Sequence, residues 1–223
     1  QGVFFLEMNT RLQVEHPVTE LICALPDGSR LDLVEQQLRV AAGEPLTITQ
    51  DDLHIAGHAM EARVYAEDAY GGFLPQAGTA ELVRWPASAR VDEALRSGQV
   101  VSTAFDPMLG KVVVHGSDRE AARRALVAAL DDTAILGLTT NAGFLRALAA
   151  SKDFAECAID TAWLDTAELP APADGVPRAL GAWAAASVAA TPVDAFGADG
   201  FRIGGPAAPT VVRLDRDVVV DRA

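Results

Sequence analysis

The sequence predicts an α+β fold, in which short strands and amphipathic helices build a common core. Several segments alternate apolar and polar residues with period two, which is typical of strands, and others repeat apolar residues at helical spacing. Of the 223 residues, 50% are hydrophobic and only 6% are aromatic, a composition that suits an alanine-rich core.

The first part of the chain is predicted to contain one buried strand and one helix. Residues 3–9 are mostly apolar and rich in strand-forming residues, so they predict a buried strand. Residues 31–42 carry apolar side chains at helical spacing, and Gly43 and Pro45 are typical helix-stop residues. The intervening residues 24–30 are turn-forming and predict a surface loop.

The middle of the chain is predicted to pass from strands to helices. Residues 58–65 follow the period-two pattern, and shorter strands are predicted at 80–84 and 111–115. Residues 117–120 have the form of a capping box and introduce an amphipathic helix, whose apolar positions lie within residues 121–130.

The character of the sequence changes near residue 169. Before it, helices are predicted from Asn141 onwards and at 154–164. Residues 169–177 are rich in proline and alanine, which is typical of a linker. A helix and three strands are predicted beyond the linker, at 178–190, 200–203, 210–214 and 218–221.

Charge and cysteine content exclude some classes of protein. The chain has 18 Lys and Arg against 31 Asp and Glu, a net charge of −13, which argues against binding to a nucleic-acid backbone. A nucleotide ligand stays possible, since a few cations and a metal ion can hold phosphates. The two cysteines form no disulfide framework and no apolar run is long enough for a membrane span, so we expect a cytoplasmic protein.

Because the chain begins with Gln1, within an apolar segment, we expect a piece of a longer protein.

The run from residue 7 to residue 15 carries most of the chemical information. Its polar residues occupy every second position, which would place them on one face of an extended chain: Glu7, Asn9, Arg11, Gln13 and Glu15. A continuous strand would separate the first and last of them by roughly 26 Å. If they serve one site, the chain must therefore bend after about Asn9.

Each side chain in this run suits a different task. Glu7 and Asn9 offer the oxygen ligands that Mg²⁺ prefers. Arg11 offers a planar fork for an oxyanion, Gln13 offers an amide donor, and Glu15 beside Arg11 could act as a carboxylate base. The spacing alone also fits a solvated sheet face with weak Arg–Glu pairs, so both interpretations stay open at this point.

A resemblance to a known family favours a substrate site over a solvated sheet face. Residues 7–20, Glu-Met-Asn-Thr-Arg-Leu-Gln-Val-Glu-His-Pro-Val-Thr-Glu, resemble the E-M-N-x-R-x-Q-V-E-H-P-V-T-E run of biotin carboxylases, the ATP-grasp component of biotin-dependent carboxylases. Further segments fit the same family in the same order, at 37–43, 57–68, 73–75, 106–111 and 137–141. The resemblance covers about residues 1–165 and implies the C-terminal third of such a subunit.

The resemblance implies a division of the chain into three parts. Residues 1–50 would be the end of an ATP-grasp domain, and residues 51–166 the biotin carboxylase C-terminal domain, an antiparallel sheet with packed helices. Residues 167–223 would be a linker and the start of a helix-plus-strand tether for a carrier domain, as in the α subunits of acyl-CoA carboxylases of the acetyl-, propionyl- or methylcrotonoyl-CoA type.

The resemblance also implies roles for the residues that bind substrate. Glu7 and Asn9 would bind the Mg²⁺ (or Mn²⁺) ions that hold the phosphates of ATP. Arg11 would clamp bicarbonate, while Gln13 and the backbone of Val14 would orient it.

Two further residues would carry out the chemistry that the resemblance implies. Glu15 would act as the base, so that bicarbonate attacks the γ-phosphate of ATP and gives carboxyphosphate, which breaks down to CO₂ and phosphate. The phosphate would take the N1 proton of biotin, Arg63 would stabilise the resulting enolate, and N1 would then take up CO₂. By contrast, Lys111 is expected to be a surface or packing lysine, and His16 and His58 to be structural groups rather than metal ligands.

Several expectations about partners follow from the same resemblance. The biotin would be attached to a carrier domain outside this chain, and a carboxyltransferase β subunit and a second copy of the parent would be partners, with neither a nucleic acid nor a membrane among them. This chain alone is expected to be inactive. Two alternatives stay open: a fragment of another ATP-grasp ligase, of the carbamoyl-phosphate synthetase type, and a non-catalytic module for subunit contacts.

Overall fold

A three-stranded antiparallel sheet forms the centre of the first part of the chain in the computed structural model. The structure describes residues 3–167, 169–171, 180–181, 210–213 and 217–220. The chain divides into two compact units, residues 1–170 and residues 171–223.

The described α-helices all lie in the first unit, apart from the helical residues 180–181. They are α1 (His16–Ile22), α2 (Leu33–Ala41), α3 (Arg119–Asp132), α4 (Ala142–Ala150) and α5 (Lys152–Ala155). Short 3-10 turns are formed by Gln50–Asp52 and Trp163–Asp165.

The strands of the first unit are mostly short. They are β1 (Cys23–Ala24), β2 (His54–Ile55), β3 (His58–Tyr65), β4 (Glu67–Asp68), β5 (Leu74–Pro75), β6 (Gly78–Ala80), β7 (Leu82–Arg84), β8 (Arg90–Glu93), β9 (Gln99–Val101), β10 (Met108–Gly116) and β11 (Ala134–Leu136). The described strands of the second unit are β12 (Thr210–Arg213) and β13 (Asp217–Val220), which form an antiparallel pair.

The central sheet has the strand order β3-β10-β8, with β10 in the middle. One face of it is apolar and packs against α3, where buried residues of β3 and β10 such as Val64 and Val112 meet Leu126. Helix α3 presents this apolar side because its alanines and leucines recur at helical spacing. This layer is the hydrophobic core of the first unit.

The opposite face of the sheet is charged. In register across the three strands, Lys111 of β10 lies opposite Arg63 of β3 and Asp92 of β8, and directly opposed residues project to the same side. Helix α1 packs against β3 and β10, and α1 directly follows the run of polar residues singled out in the sequence. The charged face therefore positions that run.

The prediction for residues 58–65 is confirmed residue for residue, because β3 spans His58–Tyr65. The helix predicted at 31–42 is α2, and the helix predicted from Asn141 is α4. The two predicted strands at 210–214 and 218–221 correspond to β12 and β13. The predicted strand at 200–203, and the helix at 178–190 apart from residues 180–181, lie outside the described residues.

The predicted buried strand at residues 3–9 is wrong. Residues 3–9 are irregular, and the side chains of Val3, Phe4 and Leu6 are exposed. A strand is stabilised by its ladder to a neighbouring strand, and no described strand pairs with this segment. Apolar composition alone could not show whether a partner was present.

Two other predictions need correction. The capping residue of α3 is Asp118, whose carboxylate accepts a hydrogen bond from the Ala121 amide, and not Ser117 as the capping box implied. The helix predicted at 154–164 is replaced by α5 and a 3-10 turn, since the chain turns sharply at Cys157, where φ is +58°. Such a left-handed conformation ends a helix.

The predicted surface loop at 24–30 is found. Residues 25–29 form a turn that is closed by a hydrogen bond from the Leu25 amide to the Ser29 carbonyl, and an isolated bridge joins Ala24 to Arg30. The predicted domain boundary near residue 50 stays a prediction.

Candidate functional site

The candidate site begins where the polar run turns into helix α1. The amide of His16 donates to the Gln13 carbonyl at 3.3 Å, and the amide of Val18 donates to the Glu15 carbonyl at 3.1 Å. Pro17 follows at the start of the helix, where its missing N–H costs nothing because the first helical amides have no intrahelical partner. The bend predicted within residues 7–15 thus ends in a tight turn at residues 14–15.

This turn brings Glu15 to the charged face of the sheet. Its Oε2 accepts a hydrogen bond from Nη2 of Arg63 on β3 at 2.8 Å. The sequence predicted Arg11 as the cation beside Glu15. In the structure Arg63 takes that place, while the Arg11 guanidinium donates to the Leu12 carbonyl at 3.3 Å, because the turn directs Glu15 towards β3.

A second carboxylate, Glu61, lies on the other side of Arg63. The Arg63 Nε donates to Glu61 Oε1 at 3.2 Å, and the Glu61 side chain is only 5% exposed. Its Oε2 is buried and has no hydrogen-bond partner within the described part of the chain. Burial raises the pKa of Glu61, although its hydrogen bond with Arg63 and the charge of Lys111 oppose that shift.

Asn141 fixes the backbone around Arg63. Its Oδ1 accepts from the Tyr65 amide at 2.9 Å, its Nδ2 donates to the Arg63 carbonyl at 3.3 Å, and its own amide donates to the Tyr65 carbonyl at 3.2 Å. Asn141 is buried and precedes α4. The sequence indicated this residue only as a helix start, and its contacts could not be read from the pattern.

The contacts of Lys111 were not foreseen from the sequence, which indicated a surface or packing lysine. It is buried, not a surface lysine, and its Nζ donates to the Val14 carbonyl at 3.0 Å while it pairs with Asp92 at 3.0 Å. The signal available in the sequence was a lysine directly before three valines, Val112, Val113 and Val114, in a predicted strand.

Glu20 connects helix α1 to the rest of the first unit. His16 Nδ1 donates to its Oε1 at 2.8 Å, as does the Leu33 amide at 3.0 Å, and Arg90 donates to Oε2 at 2.6 Å. Burial opposes ionisation of Glu20, but the hydrogen bonds from Arg90 and His16 hold its pKa below the ordinary value. His16 is therefore a structural group, as predicted.

Two cavities meet at Glu15. One, of about 820 Å³, is lined by Arg11, Gln13 and Glu15 together with residues of α2. The other, of about 610 Å³, is lined by Glu15, Glu61 and Arg63 at the polar end and by apolar side chains of α3 and α4 at the other. Three of the predicted substrate and base residues, Arg11, Gln13 and Glu15, thus share the first cavity, whereas Arg63 lines the second.

Glu7 and Asn9 lie apart from these contacts, on the exposed irregular segment, and neither lines the two cavities. Among the described residues, no group of three His, Cys, Asp or Glu could hold a metal ion. Mg²⁺ often takes only one or two protein carboxylate or amide oxygens and fills its other positions with water and phosphate. The donor set of Glu7 and Asn9 is compatible with that limited role.

Comparison with known families accounts for most of the first unit. Residues 61–166 match the family profile of the biotin carboxylase C-terminal domain, and residues 1–49 match that of the carbamoyl-phosphate synthase L chain ATP-binding domain. The matched part of the chain belongs to the biotin carboxylase family. The α+β fold expected for the family is confirmed.

Curated relatives include other members of this biotin carboxylase family. The α subunit of mitochondrial methylcrotonoyl-CoA carboxylase of Oryza sativa is 45% identical over 165 residues, which are 73% of this chain and 22% of the relative. The α chain of mitochondrial propionyl-CoA carboxylase of Caenorhabditis elegans is 44% identical over 168 residues, with coverage of 74% and 22%. The chain thus spans about 22% of the length of these relatives.

Solved structures of biotin carboxylases share the fold. Kluyveromyces lactis urea carboxylase is 42% identical with a TM-score of 0.69, over 74% of this chain and 14% of that one. The biotin carboxylase domain of Hydrogenobacter thermophilus 2-oxoglutarate carboxylase, solved as a dimer with MgADP, ADP and bicarbonate, is 36% identical with a TM-score of 0.69, over 74% and 35%.

Proposed function

We propose that this chain is part of an ATP-dependent biotin carboxylase, which joins CO₂ from bicarbonate to N1 of biotin as the first half-reaction of an acyl-CoA carboxylase. The observation that carries this proposal is the ion pair of Glu15 with Arg63, since it joins the polar run to the strand at the charged face of the sheet. These are the two residues to which the family resemblance assigns base and oxyanion chemistry.

Bicarbonate would lie in the cavity lined by Arg11, Gln13 and Glu15. Arg11 offers an exposed guanidinium that, among the described residues, makes one hydrogen bond of 3.3 Å, to the Leu12 carbonyl, and its other N–H groups could bind an anion. Gln13 would add an amide donor, and the Val14 backbone would orient the anion. Glu15 would accept the proton of bicarbonate, and its 2.8 Å ion pair with Arg63 holds the carboxylate in place.

Arg63 is suited to oppose a developing negative charge. Its guanidinium is cationic at all relevant pH values, and its place between Glu15 and Glu61 fixes its direction. The 610 Å³ cavity that it lines has apolar walls from α3 and α4. A ring system with a polar edge, such as the ureido ring of biotin, fits that combination of surfaces.

ATP and Mg²⁺ would supply the phosphoryl activation of bicarbonate when bound. Glu7 and Asn9 would contribute oxygen ligands to the metal, as their exposed oxygen atoms permit. The remaining parts of the enzyme, including the biotin carrier domain and a carboxyltransferase, would belong to the parent protein or to its partner subunits. The chain alone would accordingly be inactive.

The compartment of the parent also stays a proposal. We favour the cytoplasm on the cysteine content, while related proteins are named as mitochondrial or chloroplastic. No helix in the described ranges is long and apolar enough to cross a membrane.

The proposal is tested with the Glu15→Gln variant of the full-length parent. We expect bicarbonate-dependent ATP hydrolysis in the presence of free biotin to fall by a factor of about 10²–10⁴, since the amide cannot accept the proton. Glu44→Gln is a matched control, because Glu44 is an exposed carboxylate that pairs with the exposed Arg39. Undiminished turnover in Glu15→Gln would disprove the assignment of the base.

A second function, synthesis of carbamoyl phosphate, is favoured by the match of residues 1–49 alone. It predicts carbamoyl phosphate as a product in the absence of biotin. A product assay with and without biotin separates the two functions, and we expect the biotin-dependent product.

A further inference from the structure

We propose that Lys111 is a positioning residue for the substrate loop, residues 13–16, and that it acts by holding the carbonyl of Val14. The inference rests on the proposed function for its catalytic consequence, while the contact itself is a feature of the described structure. Lys111 is 97 residues away from Val14 in the sequence.

The location of Lys111 gives it access to the loop. It lies on β10, the central strand, between Arg63 and Asp92 in the same row of the sheet. Its side chain is 11% exposed, so its ammonium group is removed from most of the solvent. Its Nζ lies within 3.0 Å of both the Val14 carbonyl and Asp92 Oδ2. Two of its three N–H donors are thereby directed at fixed acceptors.

The contact with Val14 has a geometric consequence for Glu15. A peptide unit is planar, so fixing the Val14 carbonyl also fixes the direction of the Glu15 amide and the position of the Glu15 Cα, from which its side chain starts. Glu15 and the Val14 backbone are both part of the proposed bicarbonate site. Lys111 would therefore control their orientation without touching the substrate.

A second anchor holds the other end of the loop to the same group of charges. Asp92 also accepts from Arg90 at 3.0 Å, and Arg90 donates to Glu20, which binds His16. The loop is thus held at Val14 by Lys111 and at His16 by Glu20, while Asp92 pairs with the two cations behind these contacts, Lys111 and Arg90. These linked ion pairs account for three charged residues on one face of the sheet: Arg90 and Asp92 on β8 and Lys111 on β10.

Packing alone does not account for a lysine at this position. A buried ammonium loses hydration, and an apolar side chain of similar length commonly serves packing equally well or better. Val113, which projects to the same side of β10 as Lys111, is fully buried, so this side of the strand accommodates an apolar residue. The lysine is explained by the carbonyl that it holds.

The test compares three variants of the full-length parent: Lys111→Met, Lys111→Arg and Asp92→Asn. Lys111→Met loses both contacts, whereas Asp92→Asn loses the salt bridge but keeps the bond to Val14. We expect Lys111→Met to raise the KM for bicarbonate roughly tenfold while the KM for ATP is unchanged, the effect of losing one charged hydrogen bond. Asp92→Asn should leave the KM for bicarbonate within about threefold of the wild type. Lys111→Arg keeps a cationic donor, so its KM for bicarbonate should lie much closer to that of the wild type than to that of Lys111→Met.

A readout independent of activity accompanies the kinetics. Hydrogen exchange of the His16 and Val18 amides, which close the turn, should accelerate roughly tenfold in Lys111→Met and much less in Asp92→Asn. The control Lys152→Met removes an exposed lysine and should change neither readout.

The outcomes distinguish the positioning role of Lys111 from the proposed biotin carboxylase function. Unchanged exchange and unchanged KM in Lys111→Met overturn the positioning role, as does an equal rise of KM in Asp92→Asn. If the parent has no bicarbonate-dependent activity, the proposed function fails, while the exchange rates still decide whether Lys111 orders the loop. If Lys111→Met does not fold, Asp92→Asn decides: a KM for bicarbonate within about threefold of the wild type, with slow exchange of the His16 and Val18 amides, supports the role, and a roughly tenfold rise of both overturns it.

Discussion

Glu15 and Arg63 are 48 residues apart in the sequence, and their side chains form an ion pair of 2.8 Å at the charged face of the central sheet. The Glu15 side chain is 55% exposed and that of Arg63 is 39% exposed, so water and salt weaken their attraction. The pair therefore contributes more to the placement of the two groups than to the stability of the fold.

The first prediction concerns this separation of activity from stability. Glu15→Gln should change the free energy of unfolding by less than about 1 kcal/mol, because an exposed ion pair contributes little. Urea denaturation at neutral pH measures this change. A loss of several kcal/mol would show that Glu15 is a structural residue and would weaken its assignment as a base.

The second prediction concerns Glu20, whose carboxylate binds groups from α1, α2 and β8. Glu20→Gln should lower the free energy of unfolding by about 1–3 kcal/mol at neutral pH, since buried charged hydrogen bonds are lost. The folded-state pKa of Glu20 lies below its ordinary value of 4.5, so its contribution is complete above 4.5 and disappears as the pH falls through the lowered value.

Urea denaturation at about pH 7 and at successively lower pH values measures this dependence. The difference between wild type and Glu20→Gln should shrink on acidification. Glu156→Gln is the matched control, because Glu156 is exposed and pairs only weakly with Lys152 at 3.8 Å. A difference that is independent of pH would contradict the interpretation of Glu20 as an ionised hub.

The third prediction concerns Glu61, whose effect on stability changes with pH in the opposite direction to that of Glu20. Burial raises its folded-state pKa above the ordinary value of 4.5, so the folded state binds this proton more tightly than the unfolded state. The associated stability is fully present below 4.5 and is lost as the pH rises through the raised pKa. Glu61→Gln removes this loss, since the amide does not ionise.

The expected result is that Glu61→Gln gains stability relative to wild type as the pH rises from about 4 to about 7. Unfolding free energies across this range measure the effect, with Glu44→Gln as an exposed control. If wild type and Glu61→Gln follow parallel curves, the buried Oε2 has a partner that holds it as a carboxylate.

The local elements of the fold were accessible from the sequence where the pattern itself dictates them. The alternation in residues 58–65 specified β3, because one face packs on α3 and the other is polar. The segment at 3–9 was mispredicted because a strand depends on a partner that no local pattern reveals. The break at Cys157 depends on a backbone conformation that its residue type does not favour.

The candidate site was predictable to a similar extent. The resemblance singled out Glu15 and Arg63, which the structure brings together, yet their pairing is a tertiary contact. The contacts of Lys111 with Val14 and of Asn141 with Arg63 span 97 and 78 residues. Such contacts follow from strand register and from the approach of loops, so residue type and spacing could not indicate them.

The fourth prediction concerns Asn141, whose side chain accepts a hydrogen bond from the Tyr65 amide and donates one to the Arg63 carbonyl. Asn141→Ala leaves the Tyr65 amide without its acceptor and should lower the free energy of unfolding by about 1–3 kcal/mol. Asn141→Asp keeps that acceptor but loses the donor to Arg63, so it isolates the second bond. Urea denaturation measures both, and Thr139→Ala, at an exposed neighbouring position, is the control. A cost for Asn141→Ala no larger than that for Thr139→Ala would mean that β3 holds Arg63 in place without this clamp.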